Sequence, residues 1–334
     1  MAVTLHDVAT ASGMSLPAVS QIMNGKGSYR AETRERVLAA VRRLGYQPNM
    51  YAQAMTRRAF AAYAIILSNT PSSSLLPYGL LAGLDAAMSP RGLHLVMAFL
   101  PDRELTDADT VPKILSHVLA DGLLINYNAG YPREAVRLLA AKGVPSVWLN
   151  VDHEQNAVHP DDRGAGRSMA EAFLAQGHRS LAWFDVRVGP DDTSKHYSTA
   201  ARRDGFLAGC VGARVLGLPA ETSESHHPGY LDAILSASDR PTAIGCYGES
   251  DAQHVIVAAL RRGLRVPQDL SVAVIGDRPM AFAGLAVDTL ALDTPRLTDS
   301  AVGMLGRLVQ GDGPLASVAI PLVYKPGSSI ARHV

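Results

Sequence analysis

Cysteine is scarce in this chain: 334 residues hold only Cys210 and Cys246, far apart in sequence and among apolar or small neighbours. That excludes a disulfide framework and fits reduced structural thiols. Long apolar runs are missing too, none approaching the roughly 18 residues a membrane span needs. No basic, apolar, small-residue leader precedes Thr4, so the expected compartment is the cytoplasm, with no membrane partner. Catalytic signatures are equally thin. No Gly-x-Ser-x-Gly elbow occurs. Gly164 and Gly166 lack the third glycine of a dinucleotide fingerprint, since Met169 stands there, and helix packing explains the pair. His226 and His227 with Glu224 do not make a metal site, because adjacent side chains diverge on regular structure and no spaced partner motif follows. Asp161 and Asp162 read as hinge and capping residues. The sequence therefore predicts no enzyme, no catalytic residue, no cofactor and no metal.

What is present divides unevenly. The length is too great for one small domain, and 47% hydrophobic residues suffice for substantial cores. The overall charge is zero, yet residues 1–60 carry eight Lys or Arg against three Asp or Glu, leaving the rest of the chain acidic. Arg34, Arg36, Arg42, Arg43, Arg57 and Arg58 form an ordinary solvated face or a phosphate-contacting one, and the flanking motif favours the second.

That motif is TLHDVATASGMSLPAVSQIMN, residues 4–24. Thr4 and Asp7 have capping-box spacing, Leu5, Val8 and Ala9 share a face, and Gly13 ends the helix. Ser15 caps a second helix from Leu16, with Pro17 in its first turn and Val19, Ile22 and Met23 inward. Small Ala9 permits the close crossing of a helix-turn-helix. Leu16, Pro17, Ser20, Gln21 and Asn24 are left for a DNA groove, with Thr4, Ser15 and Tyr46 beside them. A third helix over Ala31 to Leu44, with Val37, Val41 and Leu44 inward, stops at Gly45.

The continuation RVLAAVRRLGYQPNMYAQAM resembles the lactose-repressor (LacI/GalR-type) family of bacterial transcription regulators, and the resemblance extends over nearly the whole chain. It implies a hinge helix that folds on operator DNA, with Pro48, Asn49, Ala52, Gln53 and Met55 matching its pattern. Met55 stands where the family usually has a leucine wedge that opens a base step in the minor groove. Ala18, Gln21 and Arg30 depart from the family's common threonine, arginine and serine or threonine, which changes the operator expected.

From Tyr63 onward, short apolar runs alternate with helical segments, the signature of parallel sheets in α/β layers. Expected strands include YAIILS, LHLVMAF and GLLINY, with helices near 79–88 and 111–119; AVRLLAAKG then leads to PSVWLN, and a second α/β series runs from GRSMAEAFLAQGHRSLAWFDV through RRDGFLAGC to PTAIGCYG and LSVAVIGD. The resemblance implies a periplasmic-binding-protein-like core closing over an effector. The boundaries expected are a head over 1–47, a hinge and linker over 48–60, and a core over 61–334. Lobe 1 takes about 61–160 and 293–320, lobe 2 about 161–292 and 321–334, with crossings near Pro160, Asp293 and Pro321.

Open α/β sheets bind ligands outside the carboxyl ends of their strands. That rule selects Ser68, Asn126, Asn150, Asp185, Tyr247 and Asp277. The resemblance adds Arg202, followed by Gly205 and Phe206, as an effector-binding arginine. Gly248 and Glu249 replace a usual Asn-Asp pair and Gly276 replaces one of two carboxylates, so Glu249, Asp277, Tyr247 and His196 are candidates to rebuild the network for a sugar, another polyol, a nucleoside or an amine. The expectation is a homodimeric regulator, most often a repressor in this family, reading palindromic operator DNA under control of a small effector. A cytoplasmic solute-binding sensor with a degenerate head is the alternative.

Overall fold

A computed structural model describes residues 3–46, 59–68, 76–100, 119–127, 133–186, 196–216 and 228–333. Asn49, Ala52, Gln53 and Met55, the helix expected at 111–119 apart from Leu119, and the Glu224, His226 and His227 group lie outside the described residues. Contacts divide the chain into two units, Met1–Phe60 and Ala61–Val334.

In the first unit α1 spans Leu5–Ser12, α2 Leu16–Met23 and α3 Ala31–Leu44. The Thr4 hydroxyl accepts from the Asp7 backbone N–H at 3.3 Å while the Asp7 carboxylate takes the Thr4 N–H at 2.8 Å, so the box satisfies donors on both sides. Those bonds hold the Asp7 carboxyl below its ordinary pKa, the Thr4 N–H contributing most. Gly13 and Gly45 stop their helices at φ 64° and 65°, a left-handed cap that a Cβ would strain. Val8, Ala9, Val19, Ile22, Val37 and Ala40 form the core of the head.

The second unit holds two parallel-rich sheets. Strands β1 (Ala62–Ser68), β2 (His94–Leu100), β3 (Gly122–Asn126), β4 (Ser146–Leu149) and β5 (Ala157–Pro160) join β12 (Val318–Ile320) in the order β12-β5-β4-β3-β1-β2. Helices α4 (Tyr78–Met88), α5 (Arg133–Ala141) and α10 (Thr294–Val309) belong to this lobe, with α4 and α10 packed on one face. The other lobe carries α6 (Asp162–Ala175), β6 (Ser180–Phe184), α7 (Ser198–Gly209), β7 (Arg214–Leu216), α8 (Pro228–Ser236), β8 (Ala243–Cys246), α9 (Glu249–Arg261), β9 (Ser271–Gly276), β10 (Met280–Phe282), β11 (Leu285–Ala291) and β13 (Val323–Lys325). Its order is β10-β11-β9-β8-β6-β7, with β13 antiparallel to β11. Strands β1, β3 and β4 are buried throughout, which is why they read as continuous apolar runs.

The chain changes sheet after Pro160, between Ala291 and Thr294, and between Ile320 and Val323. Several elements of this scaffold escape the apolar pattern. Strand β7 lacks buried side chains, and β12 and β13 are short and exposed except for Ile320, which joins the core.

Candidate functional site

The exposed side of α2 is the candidate groove-reading surface. Leu16 is 44% exposed, Pro17, Gln21 and Asn24 are exposed, and Ser20 is half-buried, while Ala18, Val19 and Ile22 face the core. The Gln21 carbonyl oxygen accepts from the Tyr29 hydroxyl at 2.7 Å, so the loop before α3 orients this side chain. Several sequence candidates also have local duties. The Thr4 and Ser15 hydroxyls cap helices, Asn24 donates its amide to the Ser20 carbonyl at 2.7 Å, and Tyr46 is half-buried against the head core. Tyr29 was not singled out from the sequence, because nothing local shows that it reaches back eight residues.

In the second unit, Ser68 and Asn126 are the last residues of β1 and β3, and Asn150, Asp185, Tyr247 and Asp277 follow β4, β6, β8 and β9 by one. Ser68, Asn126, Asp185 and Tyr247 are buried, Asn150 is half-buried and Asp277 is exposed. Glu249 is half-buried at the first turn of α9, its carboxylate beside Gly276.

Arg202, the effector-binding arginine that the resemblance implies, is already engaged by its neighbours. Its Nε donates to Asp162 Oδ1 at 2.7 Å, one terminal nitrogen donates to the Tyr247 carbonyl at 2.9 Å, and the guanidinium sits 4.5 Å over the Tyr247 ring. The Asp162 side chain is 1% exposed and that of Arg202 16%. Although desolvation alone would lower it, the nearby Asp162 carboxylate holds the Arg202 pKa above its ordinary value. Asp162 is thus more than a capping residue; Asp161 does the capping, accepting from the Gly164 N–H at 2.9 Å.

Small residues create this pair. A Cβ on Gly166 would lie 2.0 Å from the Arg202 carbonyl oxygen, and one on Gly205 2.0 Å from that of Arg163. Helices α6 and α7 therefore meet backbone to backbone, which sets their first turns side by side. Tyr197, ahead of α7, faces Asp162 without completing a hydrogen bond of normal length. Burial first, and the Asp162 charge second, push its phenol far above the ordinary range. The buried Trp183 indole N–H also has no partner among the described residues.

A second network spans the lobes. The His196 Nδ1 accepts from the Ser198 N–H at 3.3 Å and meets the Ser198 hydroxyl at 2.7 Å, leaving Nε2–H to donate to the Asn150 carbonyl at 2.9 Å. Asn150 holds a left-handed φ of 57°, a conformation asparagine adopts more readily than most residues. Ser198 and Tyr247 hydroxyls lie 2.6 Å apart. The sequence nominated His196 and Tyr247, but not the buried Ser198 between them.

Residues 4–49 match the model described as bacterial regulatory proteins, lacI family, and residues 170–330 match that of a periplasmic binding protein-like domain. The HTH-type transcriptional regulator GntR of Pseudomonas aeruginosa is 29% identical over 283 residues, spanning 83% of this chain and 80% of that protein. Both the head and the core of this chain resemble those of lacI-family regulators. It is a DNA-binding transcription regulator, as such family members are. The fold agrees with that of the Lac repressor dimer bound to operator and the anti-inducer ONPF, at TM-score 0.69 and 23% identity over 99% of this chain and 100% of that one. A transcriptional regulator CelR–cellobiose complex has TM-score 0.62 and 21% identity, covering 98% and 99% of the two chains. Among the described residues, no helix is long and apolar enough to cross a membrane.

Proposed function

We propose that this chain is a homodimeric, cytoplasmic regulator that reads palindromic operator DNA through α2 and responds to a neutral polyhydroxylated effector, a sugar or sugar derivative, between its core lobes. The observation that carries the effector class is the internal neutralisation of Arg202 by Asp162. With its charge matched, the arginine has little net attraction for an anion, while its remaining N–H groups, the Trp183 indole N–H and Asp162 Oδ2 still offer donors and an acceptor. A hydroxyl both donates and accepts, so a polyol satisfies such a mixed set, and a buried polar group left unmatched costs about 1–3 kcal/mol. The cellobiose bound by CelR is a precedent for that class on this fold. Ser68, Asn126, Asn150, His196, Tyr247, Glu249 and Asp277 are the further effector candidates. The DNA-reading candidates are Leu16, Pro17, Ser20 and Gln21, with Asn49, Ala52, Gln53 and Met55 in the hinge segment.

The test is fluorescence anisotropy of the full chain on duplexes from the DNA flanking its own gene, with and without a panel of mono- and disaccharides. A specific site should bind about a thousandfold tighter than scrambled duplex, with both affinities falling as salt rises. The effector should shift operator affinity by roughly 5–150-fold. Equal affinity for all duplexes would remove the operator assignment, and sugar-independent operator binding would remove the effector class.

A further inference from the structure

At the end of the first sheet opposite the strand ends that face the cleft, a cavity of about 410 Å³ is lined by Tyr63, Arg91, Leu93, Val302, Gly303, Gly306, Arg307 and Gln310. Tyr63 is the second residue of β1, Arg91 and Leu93 precede β2, and the rest lie on α10 or just after it. Leu93, Val302 and the two glycines make an apolar floor. A Cβ on Gly303 would meet nothing within 4 Å, and one on Gly306 would touch only the Tyr63 hydroxyl at 3.4 Å.

The polar lining is rich in donors: two arginines, the Tyr63 hydroxyl and the Gln310 amide, with the Asp121 carboxylate acting on Tyr63 from nearby. Tyr63 is 4% exposed, and its hydroxyl makes no hydrogen bond among the described residues. Arg307 gives Nε to Asp312 at 2.7 Å, which orients the guanidinium and leaves its terminal nitrogens unclaimed. Arg91 gives its terminal nitrogens to the Ala87 carbonyl and to Asp299, the latter at 2.8 Å, and keeps Nε.

We propose that this cavity is a second ligand site, distinct from the interlobe cleft, for a small organic monocarboxylate with an apolar tail. A carboxylate only accepts hydrogen bonds, which matches the unclaimed N–H and O–H groups. Each arginine already faces one acidic partner, so a single negative charge is accommodated more readily than two. The apolar floor gives the tail a surface to cover, and the volume lies within the range of small-molecule pockets. Tyr63 follows Phe60, the last residue of the head unit, by three residues, so a ligand on its hydroxyl acts at the start of the core.

Calorimetric titration and saturation-transfer NMR of the full chain with hexanoate test the site, using hexan-1-ol and inorganic phosphate as comparison probes. Hexanoate should bind at millimolar concentration with one site per chain, and both comparison probes should bind at least about tenfold more weakly. Arg307→Gln should weaken hexanoate about tenfold, and Tyr63→Phe, which loses no internal hydrogen bond, about fivefold. Gly303→Leu grows into open space on a helix that favours leucine over glycine, so it should fold normally and abolish binding. Absence of hexanoate binding, equal binding by the alcohol or phosphate, or unchanged affinity in Gly303→Leu would overturn the assignment.

Discussion

Arg202 Nε lies 2.7 Å from Asp162 Oδ1 across two helices in backbone contact, and the carboxylate is almost wholly shielded from water. Removing one partner strands the other. Asp162→Ala should destabilise the core by about 3–5 kcal/mol, and Arg202→Ala should cost a similar amount. Asp162→Leu with Arg202→Met should recover most of that loss. Urea unfolding of the variants checks this; an Arg202→Ala core as stable as the parent would mean that the arginine is held for ligand alone.

His196 joins the lobes through its hydrogen bond to the Asn150 carbonyl. His196→Ala should weaken closure by about 1 kcal/mol, a roughly fivefold fall in the closed population. Small-angle scattering should show a larger radius of gyration for the mutant core, while His196→Gln, which retains a donor, should stay nearer the parent. An unchanged radius in His196→Ala would assign the closed arrangement to other contacts.

Tyr29→Phe keeps the ring that packs on the head core but frees the Gln21 carbonyl oxygen. The ratio of operator to scrambled-duplex affinity at fixed salt should fall about fivefold, because losing one orienting hydrogen bond costs about 1 kcal/mol. Equal loss on both duplexes would place the effect in head stability.

Burial lowers the His178 pKa beneath its ordinary 6.5, so the folded core favours the neutral ring. Nε2–H then donates to the Ala331 carbonyl at 3.0 Å while Nδ1 meets the Thr242 hydroxyl at 2.9 Å, tying the carboxyl-terminal segment to its sheet. Above about pH 6.5 neither the folded nor the unfolded histidine is mostly charged, and this stability is fully present. As pH falls through 6.5 the unfolded ring takes up its proton first, so stability drops until the lowered folded pKa is passed. Thermal unfolding between pH 7 and pH 5 should show this slope in the parent and a smaller one in His178→Gln. An identical slope in both would assign the acid sensitivity elsewhere.

Local chemistry alone revealed the head. Thr4 and Asp7, Ser15, Gly13 and Gly45 act through bonds or dihedrals within a few residues of themselves, so their caps were readable without a fold. The buried strands were legible for a related reason: β1, β3 and β4 are apolar along their whole length. Strand-end candidates such as Asn150 and Tyr247 followed from one topological rule applied to those runs.

What only the tertiary structure decided is which of these residues are already spoken for. Asp162 and Arg202 are 40 positions apart, and nothing near either one announces the other. Their pairing depends on Gly166 and Gly205 letting α6 and α7 touch, a relation between helices. Tyr29 on Gln21, His196 on Asn150, and the cavity between Tyr63 and α10 arise in the same way. Helix periods and caps are set by neighbours in sequence, but partners for a charge or a hydroxyl are set by whatever packing brings within 3 Å, and that is decided only when the chain has folded.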